Sequence, residues 1–304
     1  MWQCAAKVLV DPHSVRRRVI KGICMSRITI RDIEAMKSNN EKVVMVTAYD
    51  YGASRIADSL NIPILLVGDS LGNVILGYPS TVPVKLDDIV YHTRAVVRGS
   101  DRAMIVADMP FMTYKLDPSE GLSNAARCIQ DGGAQAVKLE GGEEIAPTVK
   151  RIVDAGIPVM GHVGLTPQSV NAMGGYRVQG KVKSSALKLI RDAESLEESG
   201  AFALVMELIP SVVARIITKR LSIPTIGIGA GPYCDGQVQV WHDLLGLSEE
   251  FTPKHARKFA SLAEVIREAI SRYVREVKDG TFPNEDESFM VDDSLVDELE
   301  DSLD

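Results

Sequence analysis

The chain has 304 residues, 45% hydrophobic and 25% charged, the balance of an ordinary soluble globular protein. No apolar run approaches the ~20 residues of a membrane span, and Cys4, Cys24, Cys128 and Cys234 are scattered with no C-x-x-C pair. That pattern argues for reduced thiols in a cytoplasm and against a disulfide frame or zinc site. The net charge of −7 is concentrated in residues 284–304, which hold ten acids and no Lys or Arg; the remainder, 34 basic against 31 acidic groups, offers no electrostatic footprint for nucleic acid.

In chain order, residues 1–25 stand outside the folded pattern. Arg16, Arg17, Arg18 and Lys21 are opposed there by a single acid, Asp11, which fits an organelle-targeting segment. The plainer reading is an over-long start, because SRITIRDIEAMKSNN, directly after Met25, has the spacing of a helix. From residue 26 to 283 one unit recurs: a short β-branched run, a polar or glycine-rich turn, then a segment with helical spacing. The predicted strands are 43–49, 64–70, 103–109, 136–141, 157–163, 202–208, 223–229 and 237–243. Between them lie amphipathic segments such as LDDIVYHTRAVVRG, PSEGLSNAARCIQDG, EIAPTVKRIVDAG and SSALKLIRDAESLEESG. Several end in glycine, a common helix stop.

Nearly continuous apolar strands alternating with helices are the mark of parallel β-α-β units covered on both faces. Eight of them predict an α/β fold, a closed (β/α)8 TIM barrel forming a single domain over 26–283, in preference to an open doubly wound sheet. The gap between the seventh and eighth runs is too short for a full helix. Residues 284–304 read as a mobile, solubilising acidic tail.

In such a barrel the active site lies at the C-terminal ends of the strands. The polar residues that interrupt the apolar runs fall there: Tyr49 and Asp50, Asp69 and Ser70, Asp108, Lys138 and Glu140, His162, and Glu207. A carboxylate stripped of water needs a partner or a metal. Asp69, Asp108 and Glu140 end three consecutive strands and are expected to converge. Hard oxygen donors without neighbouring Cys or His favour Mg²⁺. The structural alternatives are helix capping by Asp69, Ser70 or Asp108 and a solvated loop position for Glu140. Each is the stronger reading alone, but three in register at one barrel face are less plausible than one metal site.

Lys138 and Glu140, two apart on one strand, point to the same side; Lys138 suits a substrate carboxylate or an ion pair with a neighbouring acid. His162 is open between a structural role and substrate contact. Glu207, after four apolar residues, is expected in a buried setting that suits a general base. The glycine-rich GIGAGPYCDG (227–236) is not G-x-G-x-x-G and lacks Lys and Arg, so close backbone packing or contact with a flat ligand fits it as well as phosphate binding.

Taken together, TAYDY, LVGDSLG, ADMPF, VKLEGG, GHVGLTPQSVN, GGYRVQG, IGIGAG and the DG-Q-V-WHD run, in that order from about Arg27 to Phe289, resemble the ketopantoate hydroxymethyltransferase family. The resemblance implies a barrel related to the phosphoenolpyruvate mutase and isocitrate lyase barrels, usually a cytoplasmic homodecamer in bacteria. It implies transfer of a one-carbon unit from 5,10-methylenetetrahydrofolate to 3-methyl-2-oxobutanoate, giving 2-dehydropantoate for pantothenate and coenzyme A synthesis. By the same resemblance Asp69, Asp108 and Glu140 bind Mg²⁺; Asp69, Ser70, Asp108 and Lys138 contact substrate, with His162 near it; and Glu207 accepts the proton. A sister lyase or mutase on the same barrel would carry a K-K-C-G-H type gating loop, which this sequence lacks. A barrel that only binds ligand would not need the full set of acids and Lys.

Overall fold

Eight parallel strands close on themselves in sequence order in the computed structural model, which describes residues 26–248 and 253–303. They are β1 (Val43–Thr47), β2 (Ile64–Val67), β3 (Met104–Asp108), β4 (Ala136–Glu140), β5 (Val159–Gly164), β6 (Ala203–Glu207), β7 (Thr225–Ile228) and β8 (Gly236–Gln239). The predicted TIM barrel is the fold. The residues added at the upper ends of several predicted strands belong instead to the connecting loops. The largest difference is in the last: Val240 leaves the strand, and Trp241–Leu245 turns into a short helix.

Side chains alternate between two cores, as a closed parallel sheet requires. Ile64, Leu66, Met104, Val106, Ala136, Met160, Ala203, Val205, Ile226 and Val238 fill the barrel interior. Leu65, Val67, Ile105, Ala107, Val137, Leu139, Val159, Leu204 and Met206 pack outward against the helices. Burial on both faces is the reason these strands read as unbroken apolar runs.

The helices are α1 (Ile30–Ser38), α2 (Tyr51–Ser59), α3 (Leu71–Val74), α4 (Leu86–Gly99), α5 (Pro118–Gln130), α6 (Ala146–Asp154), α7 (Val170–Met173), α8 (Lys183–Glu198), α9 (Ser211–Arg220), α10 (Trp241–Leu245), α11 (Leu262–Lys278) and α12 (Asp293–Asp301). Their starts follow local chemistry. Asp50 Oδ1 accepts from Ala53 N–H to cap α2; Asp117 caps α5, whose first residue is Pro118.

α1 closes the bottom of the barrel. Ile33 joins the interior core, while Lys37 Nζ donates to the Leu221 and Ile223 carbonyls and pairs with Asp235 at 3.0 Å. With the bottom plugged, the upper end is the open one.

No helix separates β7 from β8. The glycine-rich segment there turns tightly, as the close-packing reading expects: Gly231 has φ +80°, and a Cβ on it would lie 2.4 Å from the Ser211 side chain. Among the described residues no helix covers the outer wall between β7 and β8, and Val44 on β1 is 51% exposed.

α11 presents an exposed apolar face among the described residues. None of its residues is buried, and Val265, Ile266, Ile270, Tyr273, Val274 and Val277 are exposed. The acidic extension carries a 3-10 turn at Glu285–Glu287 and α12, both on the surface. The targeting question over residues 1–25 lies outside the described residues. Among those described, no helix is long and apolar enough to cross a membrane. Cys128 and Cys234 are buried free thiols; Cys4 and Cys24 lie outside the described residues.

Candidate active site

The inward phase that fills the barrel with Met104, Val106, Ala136, Met160, Ala203 and Val205 turns polar at the top. Continuing each strand by twos reaches Asp108 on β3, Lys138 and Glu140 on β4, His162 on β5 and Glu207 on β6. Register then sets neighbours side by side: Asp108 against Lys138, Glu140 against His162, Gly164 against Glu207. Asp69 follows β2 by two residues, and its N–H donates to Asp108 Oδ2 at 3.2 Å. The three acids converge, as expected.

They are not capping. Ser70 begins α3 without a side-chain cap and shares a hydrogen bond with the Tyr49 hydroxyl at 2.9 Å. Asp69 Oδ2 accepts from Gln168 Nε2 at 3.0 Å. Glu140 is 1% exposed, so the solvated-loop alternative fails for it. Lys138 does form the ion pair that was its alternative, with Nζ 2.7 Å from Asp108 Oδ1 and 3.7 Å from Glu140 Oε1. Glu207 is less enclosed than its apolar lead-in suggested, because β6 ends there: its side chain is 15% exposed, and Oε2 lies 3.4 Å from His162 Nε2. Leu208 beyond it takes φ +45°, rare for a non-glycine residue, and turns the chain sharply at this point.

Burial and the charges of Asp108 and Glu140 hold the Asp69 carboxyl well above the usual carboxylate range, against the smaller pull of Lys138 and Gln168. Burial also raises Asp108 despite Lys138 beside it. Burial pushes Glu140 up too, but Lys138, His162 and the Gln168 N–H outweigh it and leave the group lowered. Burial and Lys138 push His162 down, yet its contacts with Glu140 and Glu207 prevail, and it is raised to about 9. Acids outnumber bases in this enclosed space.

The ketopantoate hydroxymethyltransferase family model matches residues 27–285. The chain belongs to that family. It is 57% identical over 273 residues to the 3-methyl-2-oxobutanoate hydroxymethyltransferase of Dehalococcoides mccartyi, covering 90% of this chain and 97% of that one. It is 57% identical over 266 residues to the enzyme of the same name from Chloroflexus aurantiacus, covering 88% and 94%. Among solved structures it resembles a phosphonopyruvate hydrolase (TM-score 0.58, 11% identity, 90% and 96% covered) and an oxaloacetate acetylhydrolase (TM-score 0.55, 15% identity, 90% and 94% covered). At those identities the structural likeness speaks for the barrel alone.

This hydroxymethyltransferase has donors that suit a hard divalent cation, though they do not stand as a finished cage. Among the described residues no three His, Cys, Asp or Glu side chains are already arranged around a common point; the Lys138 ammonium sits against two of the carboxylates instead. The fit rests on chemistry. Three enclosed oxygen-donor acids exceed the positive charge beside them, and Asp108 Oδ1, though near Lys138, lacks a well-directed hydrogen bond.

Two residues of the site escaped the sequence reading. Gln168, in a 3-10 turn at Pro167–Ser169, and Tyr114, in the loop after β3, are buried between the acids. Neither ends a strand, and loops have no periodicity to betray an inward side chain. The nearest signal is their own burial pattern, absent from sequence.

Gly164 binds fold to site. Its φ is +103°, and a Cβ there would meet the Glu207 carbonyl oxygen at 2.2 Å. Gly164→Ala is expected to displace the end of β6 and lower activity at least ~10-fold, with about 1–3 kcal/mol of backbone strain added. Thermal unfolding and turnover, measured together, check it; unchanged values in both would contradict the close approach.

Proposed function

We propose that this hydroxymethyltransferase transfers a one-carbon unit from 5,10-methylenetetrahydrofolate to 3-methyl-2-oxobutanoate, forming 2-dehydropantoate for pantothenate synthesis. The observation that carries the reading is the convergence of Asp69, Asp108 and Glu140 with Lys138, His162 and Glu207 at the barrel's open end. The names of the relatives support the product; the folate donor is what the family resemblance implies, and the chemistry is inferred from the residues.

Asp69, Asp108 and Glu140 would hold Mg²⁺. When bound, that ion supplies polarisation of the substrate's ketone oxygen, an effect worth several kcal/mol in a transition state. Glu207 takes the proton from C3, and His162, within 3.4 Å of its Oε2, orients it. Lys138 balances the substrate carboxylate, and the Ser70 hydroxyl, steadied by Tyr49, donates a hydrogen bond to it. C3 then bonds to the folate-borne methylene carbon as that carbon's bond to one of the two folate nitrogens breaks, the freed nitrogen keeping the electron pair and taking a proton. Water displaces the second nitrogen, which also takes a proton, leaving the hydroxymethyl group on C3 and releasing tetrahydrofolate.

The decisive experiment is turnover of 3-methyl-2-oxobutanoate with and without methylenetetrahydrofolate, and with and without excess EDTA. Product should require the folate, vanish in EDTA and return on adding Mg²⁺. Activity that survives EDTA would remove the metal, and conversion of the oxo acid to a different product without folate would favour a lyase-type reaction.

A cytoplasmic homo-oligomer, a decamer by analogy with the family, belongs to the same reading. What supports assembly is the apolar face that α11 exposes among the described residues, with Val44 exposed on the wall of β1. No nucleic acid or membrane partner is called for.

A further inference from the structure

Between the acids lies a side chain for which the proposed chemistry has no use. Gln168 is 2% exposed and makes three side-chain hydrogen bonds. Its Nε2 donates to Asp69 Oδ2 at 3.0 Å and to the Met109 carbonyl at 2.9 Å, and its Oε1 accepts from the Tyr114 hydroxyl at 2.7 Å. Its backbone N–H donates to Glu140 Oε2 at 3.2 Å. One residue therefore holds an oxygen of each of two acids that come from different strands.

The amide has only one workable orientation. Turned over, its carbonyl oxygen would face the Asp69 carboxylate and the Met109 carbonyl, two acceptors, while its NH₂ met the hydroxyl. The Asp69 and Met109 oxygens fix the choice, and Tyr114 completes the lock. Its hydroxyl accepts the Glu140 N–H at 3.0 Å and has a single proton to give, with Gln168 Oε1 the nearer acceptor and the Glu140 carbonyl at 3.0 Å the farther. Tyr114 is itself fully enclosed, so the pair does not exchange its partners for bulk water.

We propose that Gln168 is a positioning residue for the carboxylates of this hydroxymethyltransferase: its side-chain amide, locked by Tyr114, ties back Asp69 Oδ2, and its backbone N–H ties back Glu140 Oε2. The remaining oxygen of each acid is left for other duties; Glu140 Oε1 already faces Lys138 and His162. Such support around ligating carboxylates governs how well a site holds its cation, and losing it costs about 10–100-fold in metal affinity or activity. The inference rests on the reading of Asp69 and Glu140 as working ligands.

The test uses the full-length enzyme and Mn²⁺ as a spin probe, with the dissociation constant measured by electron paramagnetic resonance in the absence of substrate. Gln168→Met keeps length and apolar volume but removes the amide N–H donors to Asp69 and Met109, leaving the backbone N–H to Glu140; Tyr114→Phe removes the lock together with the acceptor of the Glu140 N–H. Asp69→Asn runs in parallel. Mn²⁺ affinity of folded Gln168→Met should fall about 10–100-fold, and that of Tyr114→Phe by less. Part of the lost kcat should return at saturating Mn²⁺. A merely structural role would lower the unfolding temperature and leave the affinity of the folded protein alone. Wild-type affinity in Gln168→Met beside weakened Asp69→Asn overturns this inference only. Wild-type affinity in both removes the metal reading as well, and this inference with it. Should Gln168→Met fail to fold, unchanged affinity in Tyr114→Phe overturns the lock.

Discussion

Glu207→Gln is expected to lower exchange of the C3 proton of 3-methyl-2-oxobutanoate into deuterated water by about 10³-fold, the scale of a lost general base. Binding of the substrate should stay within about a factor of two, since the amide keeps the shape of the carboxylate and only its proton affinity is removed. The experiment needs no folate, so it isolates the first chemical step from carbon–carbon bond formation. Position is the reason for expecting so large an effect. Glu207 stands at the last inward place on β6, beside His162 but apart from the Asp108–Lys138–Glu140 cluster. Its partial exposure leaves it reachable by a ligand in the barrel mouth. Retained exchange in the glutamine variant would remove Glu207 from the role and turn attention to His162, which faces it.

The barrel was legible because burial on both faces leaves a simple trace. ILLV, MIVA and ALVM are strands whose alternate residues enter different cores, and no water-facing side chain interrupts them. The acids stood out for the same reason: a carboxylate at the end of such a run has nowhere apolar to go. Lys138 and Glu140 could be assigned to one side from their spacing, and both prove to face inward.

The end of β8 was hidden by the same rule that exposed the others. QVQVW alternates as a strand does, but Trp241 N–H donates to Thr47 Oγ1 and the chain turns into α10. Alternation cannot register a hydrogen bond from a residue nearly two hundred positions away. Gln168 and Tyr114 were hidden differently: each acts through one long-range contact set, from a loop, with no repeating neighbours to announce it. The enclosure of Glu207 was overstated because four apolar residues before a position describe the strand beneath it, not the open space above.

Lys138→Met should be among the most destabilising single changes in the chain. The ammonium is nearly buried and lies 2.7 Å from Asp108 Oδ1, 3.7 Å from Glu140 Oε1 and 3.3 Å from His162 Nδ1. The charges of Asp108, Glu140 and Asp69, with Asp108 in ion-pair contact, hold it charged more firmly than a free lysine, against the opposing effect of burial. Removing one member of such a buried group leaves the others uncompensated, a loss of about 3–5 kcal/mol. For a chain of this size that corresponds to a fall of about 10 °C in the unfolding midpoint. Scans should be run in EDTA, because a divalent cation among Asp69, Asp108 and Glu140 would supply part of the missing charge. Adding Mg²⁺ to the variant should therefore recover more stability than adding it to the wild type. A midpoint within about 2 °C of the wild type in EDTA, less than about 1 kcal/mol, would mean that the acids accommodate the loss without the ammonium. In that case the Lys138 contacts would be geometry without energetic weight, and its reserved function would be the substrate carboxylate alone.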